Sequence, residues 1–448
     1  MATVMRSIQS LQVRKLFGGY DYDLNSGAEA KSVDKVMILY GDNGSGKTTI
    51  LKCLFHLLAP DEGRGHKSYV AGIPFKEFTI QFASGEKVLA ERRGSNTVGS
   101  YSMAFQSKSG KSRTFDFPAD DKLEVEFTSD EQKAEAKAFL ATLGTLGLSL
   151  FFLSDDRSVN FAGGEQAPAE SDTILVDDEV LVFKNRSEFG RRRNRRSHAD
   201  PETMAQTLLS ESLGRAQSWI QTQVLQGSSA GESSVNSLYN EILKRLSTLR
   251  EGESLQPETS KRSIEERVKQ LESRSREYAK YGLLPEFNGK LIVSALSDSM
   301  TSHMSIVSNV LTPYFDSIDK KLDALKRIFG EINAFVTVIN SFFRHKVVQY
   351  GMHKGFEIIT DSGKPIPPQA LSSGERHLLL LFLNTITAFE RPSLFIIDEP
   401  EISLNIKWQR KLLSSLLECV GDNPVQYVFA THSVELLAQH KNNVLKLD

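Results

Sequence analysis

Short hydrophobic runs near both ends of the chain have the length of buried strands. Val36–Tyr40 is followed by a glycine-rich turn and then by leucine and isoleucine residues at helical spacing. Two later runs, Leu394–Ile397 and Val425–Ser433, finish in or next to polar residues. Continuous apolar strands that alternate with helices are typical of a parallel sheet covered on both faces. The pattern therefore predicts an α/β core built from both ends of the chain.

The pattern changes in the middle of the chain. Residues 76–127 alternate between hydrophobic and polar positions around Ser-Gly turns, which predicts antiparallel hairpins. Between residues 199 and 346 the hydrophobic period becomes helical. The apolar stripes are Ile264, Val268, Leu271 and Tyr278, then Leu311, Phe315, Ile318, Leu322, Leu325, Phe329, Ile332 and Phe335. They favour a short helical hairpin or a packed helical domain, and residue by residue they are explained as plain core.

Composition narrows the class of protein. The 448 residues are 40% hydrophobic and 25% charged, which is ordinary for a globular protein. A net charge of −2 gives no whole-chain reason to expect binding to nucleic acid or to an anionic membrane. Cys53 and Cys419 are too few for a disulfide framework. The longest apolar run, Leu378–Leu383, is far below the roughly 20 residues of a membrane span, so we expect a cytoplasmic protein without a membrane partner.

The glycine-rich turn carries the strongest chemical signal. It matches G-x-x-x-x-G-K-[ST] between Gly41 and Thr48, after a strand and before a helix, as the motif requires. Such a loop turns backbone N–H groups towards phosphate oxygens, adds a lysine charge and offers a hydroxyl to Mg²⁺. We predict that the nucleotide is bound by Gly41, Asn43, Gly44, Ser45, Gly46, Lys47, Thr48 and Thr49. ATP and Mg²⁺ are the expected cofactors.

The two later strands end in residues suited to phosphate chemistry. Asp398 and Glu399 follow one strand and His432 follows the other. Because ligands bind at the carboxyl ends of parallel strands, these side chains are expected to reach the P-loop. Asp398 would hold the metal together with Thr48, and Glu399 would orient or deprotonate the attacking water. A lone histidine after a strand can also be a capping or packing residue.

The stretch ALSSGERHLLLLF, residues 370–382, contains a helix start. Ser372 and Glu375 fit the S-x-x-E capping box, in which each side chain satisfies a backbone N–H of the first turn. A cap does not require Gly374 between them, and helix propensity argues against a glycine there. The glycine therefore needs a second explanation.

Together these motifs resemble the ABC-type ATPases of the SMC/RecF/OLD branch. The likeness rests on the P-loop as Walker A, LSSGE as the signature, FIIDEP as Walker B, Ser403–Asn405 as a D-loop-like turn and His432 as the switch histidine. It implies an α/β ABC-ATPase head, with a P-loop sheet and an antiparallel β lobe, interrupted by a helical insertion. The corresponding domain prediction is 1–198 for the first part of the head, 199–346 for the insertion and 347–448 for the second part.

The resemblance also implies how the site works. In this family two heads sandwich ATP, so Ser372 and Gly374 would contact the nucleotide held by the P-loop of a second copy, and the protein would form a homodimer of heads or a higher oligomer. Glu399 and His432 would be catalytic. A glutamine usually senses the metal after an N-terminal strand, whereas LSLFFLSDDR offers Asp156, which is either a substitute metal ligand or a surface acid.

A run of arginines precedes the helical region. It consists of Arg191, Arg192, Arg193, Arg195 and Arg196. In a nearly neutral chain this run is a candidate site for nucleic acid or an acidic protein, and the alternative is a solvated loop.

The motifs are accompanied by no recognisable effector domain. This chain resembles the stand-alone ATPase subunits of bacterial anti-phage systems such as PARIS and Septu. We therefore expect an ATP-hydrolysing sensor or scaffold that controls a separate effector protein, with a nuclease as the expected effector, after an acidic trigger such as a phage DNA-mimic protein or nucleic acid. The alternative is a RecF/SMC-like DNA-repair ATPase that acts on DNA directly.

Overall fold

A computed structural model gives the structure of most of the chain. It describes residues 6–25, 35–156, 158–163, 172–176, 179–183, 201–231, 235–247, 257–296, 304–388, 393–438 and 440–447.

The strands of the described residues form four sheets. In chain order they are β1 (Ile8–Leu16), β2 (Tyr20–Asn25), β3 (Val36–Tyr40), β4 (Glu77–Phe82), β5 (Lys87–Glu91), β6 (Tyr101–Gln106), β7 (Ser112–Phe117), β8 (Ser149–Leu153), β9 (Val159–Ala162), β10 (Asp172–Val176), β11 (Glu179–Phe183), β12 (Lys346–Gly351), β13 (Gly355–Thr360), β14 (Pro365–Ile366), β15 (Ser393–Asp398), β16 (Val425–Thr431) and β17 (Val444–Lys446).

Helices cover much of the remaining chain. They are α1 (Lys47–Leu58), α2 (His66–Gly72), α3 (Asp130–Gly144), α4 (Pro201–Gly231), α5 (Val235–Ser247), α6 (Pro257–Ala279), α7 (Lys290–Ala295), α8 (Met304–Ala324), α9 (Lys326–Asn340), α10 (Ser373–Thr387), α11 (Ile406–Val420) and α12 (Val434–Leu437), with 3₁₀ turns at Pro368–Ala370 and Lys441–Asn443. No described helix combines the length and the apolarity needed to cross a bilayer.

The first of two compact units contains residues 1–209 and 371–448. Its central sheet has the order β17-β3-β16-β15-β8-β9, and every neighbouring pair is parallel except β8 with β9. Every residue of β15 and β16 is buried, as expected for strands covered on both faces. The predicted parallel sheet is therefore confirmed, with strands from both ends of the chain.

An antiparallel sheet lies in the same unit. Its order is β2-β1-β4-β5-β6-β7, and β4 to β7 are the hairpins predicted from the alternating pattern. One hydrophobic core extends from β1 through α1 to the central sheet, with Leu11, Phe55 and Ile396 among its buried members. The expected α/β fold with a second, antiparallel sheet is confirmed.

The second unit contains residues 210–370. In it α8 packs against α5, α6 and α9, and β12, β13 and β14 form a small antiparallel sheet. Arg267 and Arg274 of α6 both pair with Asp319 of α8. The apolar stripe that begins at Ile264 is buried along α6, which confirms that it is core. The predicted domain boundaries after residues 198 and 346 stay predictions.

Candidate functional site

The P-loop connects β3 to α1 and depends on its glycines. Gly44 and Gly46 both have φ of +87°, a left-handed conformation that side chains disfavour. A Cβ on Gly41 would lie 2.8 Å from Ser45 Oγ and 3.0 Å from Leu447 Cβ. The tight path of the loop therefore requires glycine at these positions.

Lys47 lies inside this loop. Its side chain is buried, and Nζ donates to the carbonyl oxygens of Gly41 at 2.8 Å and Asp42 at 2.9 Å. The Tyr22 hydroxyl donates to the Ser45 carbonyl at 2.8 Å, which ties the loop to β2. Ser45 Oγ is buried and has no hydrogen-bond partner among the described residues. The loop thus presents a lysine and an unsatisfied hydroxyl in the conformation that the motif predicts.

Parallel strands bring four chemically distinct segments to one edge of the central sheet. β3 leads into the P-loop, β16 ends before His432, and β15 ends in Asp398. β8 lies beside β15 with Leu153 paired to Ile397, so the acids that follow β8 leave the sheet at the same edge. Because all four strands run in the same direction, their carboxyl ends meet there.

Asp398 has an unusual environment. The residue is 1% exposed, and neither carboxylate oxygen accepts a hydrogen bond of normal geometry from the described residues. Burial raises the pKa of Asp398 to about 6. The negative charges of Asp155 and Glu399 also raise it, whereas the Thr48 side chain and the positive charge of Lys52 lower it. A buried carboxylate without donors is costly in the absence of a cation.

This environment fits a magnesium site. Mg²⁺ prefers carboxylate and hydroxyl oxygens and keeps several waters. Asp398 and Thr48 would hold the ion, and the ion would neutralise charge on the phosphates. The Thr48 side chain is close enough to Asp398 to lower the pKa of that carboxyl group. The buried, unsatisfied oxygens of Asp398 are the observation that supports this fit.

Glu399 and His432 lie side by side. His432 Nδ1 is 3.3 Å from Glu399 Oε1 and 3.6 Å from Oε1 of a second acid, Glu401. Glu399 has φ of +44°, although it is not a glycine, and its N–H donates to the Ala430 carbonyl at 2.8 Å. Strained backbone of this kind is concentrated at functional sites. The arrangement brings the two predicted catalytic residues together.

A family model matches most of the chain. The family is described as "AAA domain, putative AbiEii toxin, Type IV TA system", and the match covers residues 36–178 and 220–438. The chain belongs to this AAA family. Membership makes it a nucleotide-binding protein of an ATPase class, and the matched ranges include the P-loop, Asp398, Glu399 and His432. No curated protein matches the chain.

Solved structures of SMC heads are similar over nearly the whole length. The Smc head domain with an extended coiled coil, bound to the C-terminal domain of ScpA from Pyrococcus furiosus, is 12% identical with a TM-score of 0.38; the match covers 99% of this chain and 93% of that chain. The SmcHead bound to the C-winged helix domain of ScpA is 11% identical with a TM-score of 0.34, covering 98% of this chain and 94% of that chain.

Two acids follow β8 in the AAA domain. The Asp156 carboxylate accepts from the Ser154 hydroxyl and, at 2.8 Å, from the Ser158 N–H. These hydrogen bonds lower its pKa against the opposing effect of burial. Asp155 instead is the acid whose charge acts on Asp398. The predicted metal role of Asp156 stays a prediction, with its carboxylate engaged in its own turn.

The signature segment begins α10. Ser372 Oγ accepts from the Glu375 N–H at 3.3 Å, and Glu375 Oε2 accepts from the Ser372 N–H at 2.7 Å, which is the predicted capping box. A Cβ on Gly374 would lie 2.6 Å from the Ser403 carbonyl oxygen and 3.3 Å from Trp408 Cζ3. The close approach of the Ser403 backbone therefore requires glycine at position 374, whether or not Gly374 also contacts a nucleotide.

The arginines at 191, 192, 193, 195 and 196 lie outside the described residues and outside the matched ranges of the AAA family. Glu401 is not among the predicted site residues, and Ser403 is predicted only as part of a D-loop-like turn. The sequence feature that could indicate Glu401 is the last acid of DEPE, which lies two positions after Glu399.

Proposed function

We propose that this protein binds Mg²⁺ and ATP at the P-loop and hydrolyses ATP to ADP and phosphate. The observation that carries the proposal is the Asp398 carboxylate, which is buried beside Thr48 and accepts no hydrogen bond of normal geometry from the described residues. A group in that state destabilises the fold unless a cation binds to it. Its position at a strand end next to the P-loop gives the cation a role in phosphate chemistry.

Each residue has a defined part in the proposed reaction. Lys47 would exchange its two carbonyl partners for phosphate oxygens of the substrate. Glu399 would orient the attacking water and accept its proton, and His432 would contact the transferred phosphoryl group. The Mg²⁺ held by Thr48 and Asp398 would stabilise developing negative charge.

The site would be completed by a second copy of the chain. Ser372 is exposed at the start of α10, and a hydroxyl that accepts the Glu375 N–H keeps its own proton for donation. A helix N-terminus also favours an anion. We therefore propose that Ser372 and the backbone at Gly374 contact ATP held by the partner, in a homodimer or a higher oligomer.

At the level of the cell, we propose an anti-phage sensor that controls a separate effector, with a nuclease as the expected effector. The family description names a toxin of a Type IV TA system, which supports a role in such a system and does not favour the DNA-repair alternative. The arginine run would receive an acidic trigger. The trigger would have to prefer one nucleotide-dependent conformation, since equal affinity for both shifts nothing.

Co-expression tests this role. Expression of the chain alone should give neither phage protection nor toxicity, whereas expression with its neighbouring gene should give both. Lys47→Ala and Glu399→Gln should each abolish protection while leaving the protein level unchanged. Protection by the ATPase alone would overturn the separate effector, and a DNA-repair defect in its absence would favour direct action on DNA.

A further inference from the structure

Glu401 is a buried acid next to the catalytic pair. It lies in the turn after β15 and is 6% exposed. Its Oε1 atom accepts from the Thr431 hydroxyl, from the His432 N–H at 3.2 Å and from the Ser433 N–H at 3.1 Å. One carboxylate oxygen thus accepts hydrogen bonds from three consecutive residues at the end of β16 and just after it, and His432 is the middle one.

The same turn is attached to the end of β16 a second time. Gln409 of α11 donates to the carbonyl oxygens of Leu404 at 2.9 Å and Glu401 at 3.4 Å, and its Oε1 accepts from the Ser433 hydroxyl at 2.9 Å. The Glu401 carboxylate is therefore held from its own backbone as well as from β16. A side chain anchored on both sides can impose a position on its neighbour.

The histidine ring is oriented by charge. Nδ1 lies 3.3 Å from Glu399 Oε1 and 3.6 Å from Glu401 Oε1, whereas the side chain as a whole is 52% exposed. Two carboxylates facing Nδ1 favour a proton on that nitrogen. Nε2 is bonded to the same ring carbon, Cε1, and a proton on Nδ1 leaves Nε2 of the neutral ring as the acceptor. The tautomer and the direction of Nε2 are thus linked to the position of Glu401.

We propose that Glu401 is a positioning residue that fixes the backbone, the Nδ1–H tautomer and the orientation of His432 for ATP hydrolysis. This inference rests on the proposed function. Glu401 contacts neither the P-loop nor Asp398 among its described hydrogen bonds, so it acts through His432. Its second oxygen, Oε2, is buried without a partner among the described residues, which is a cost that a purely structural clamp would not need.

Steady-state kinetics separates this role from general destabilisation. Glu401→Ala should lower kcat for ATP about tenfold or more, with KM within about threefold, because the P-loop still binds the nucleotide. Glu401→Gln keeps an oxygen that can accept the three donors and should recover part of the loss. Glu435→Gln is the matched control, because that acid is partly exposed on α12, pairs with Arg410 at 2.5 Å and should leave kcat unchanged.

A double-mutant cycle identifies the path of the effect. If Glu401 acts through His432, Glu401→Ala should have no further effect on single-turnover hydrolysis in a His432→Ala background. Equal losses in both backgrounds would overturn the inference. The ¹⁵N signals of His432 supply a readout independent of activity: the Nδ1–H tautomer should predominate in wild type and be less populated in Glu401→Ala, where Glu399 alone of the two acids still faces Nδ1.

The outcomes distinguish the two proposals. Wild-type protein without ATPase activity would refute the proposed function, while the tautomer measurement would still test the role of Glu401. Active wild type with Glu401 variants of normal kcat, or with an unchanged His432 tautomer, would refute the positioning role alone. If Glu401→Ala does not fold, the Glu401→Gln protein must show the partial loss in kcat and the altered tautomer, and normal values for both would overturn the inference.

Discussion

Asp398→Asn should make the nucleotide-free protein more stable as the pH rises, relative to wild type. The substitution keeps the size of the side chain and removes a charge that is buried without a hydrogen bond of normal geometry from the described residues. The folded-state pKa of Asp398 is raised to about 6 from an ordinary value of 3.8. Such a group contributes stability below its unfolded pKa, and that contribution is lost as the pH rises through about 6.

The magnitude follows from the two pKa values. A difference of about two pH units corresponds to roughly 3 kcal/mol once the pH is well above both values. Most of that change, about 2 kcal/mol, falls between about pH 4.5 and about pH 7.5. The buried asparagine N–H₂ group can itself cost about 1–3 kcal/mol, but that cost does not depend on pH. The pH dependence of the difference between variant and wild type is therefore the informative quantity.

Urea unfolding in EDTA, without nucleotide, measures this difference at both pH values. Asp422→Asn, at an exposed aspartate in the turn after α11, is the matched control for the loss of a carboxylate that already contacts water. A constant difference between Asp398→Asn and wild type would refute the buried-charge argument. The stabilised variant should also lose Mg²⁺-dependent ATP binding, as expected where function and stability compete.

Two further predictions concern the signature segment. Lys47→Ala and Ser372→Arg proteins should each be inactive, yet a mixture should regain ATPase activity if the two residues act on one nucleotide from different copies; no recovery would count against a shared site. Gly374→Ala should lower stability by about 1–3 kcal/mol because its Cβ would lie 2.6 Å from the Ser403 carbonyl oxygen, whereas Gly330→Ala, in open space on α9, should raise Tm. Equal Tm changes for the two glycine variants would refute the clash.

The parts of the site that were predicted are those with local signals. The P-loop is a contiguous motif between a short apolar strand and a helix with helical hydrophobic spacing, so Lys47 and Thr48 could be predicted as nucleotide-binding residues from the sequence. Asp398 and His432 could be predicted as site residues because each follows a short apolar run typical of a buried parallel strand. The helical stripe through Val268 was likewise visible as core.

The missed parts depend on contacts between distant segments. Glu401 accepts hydrogen bonds from Thr431 and Ser433, and no pattern in the sequence states that β15 and β16 are neighbours. The influence of Asp155 on Asp398 similarly depends on the pairing of β8 with β15. Acidic residues in loops follow no hydrophobic period, so their contacts can be identified only when the order of the strands is known.

The turn after β15 connects the catalytic acid to the signature segment. Glu399 and Ser403 are both in the left-handed region, with φ of +44° and +65°, and the Ile402 N–H donates to the Glu399 carbonyl at 3.1 Å between them. The Ser403 carbonyl then occupies the space that a side chain at position 374 would need. Gly374 and the turn that carries Glu399 are therefore in close contact. If a partner's nucleotide displaces Gly374, we expect Ser403 to move with it, and the turn from Ser403 back to Glu399 is the path by which that displacement would reach the residue that the proposed hydrolysis requires.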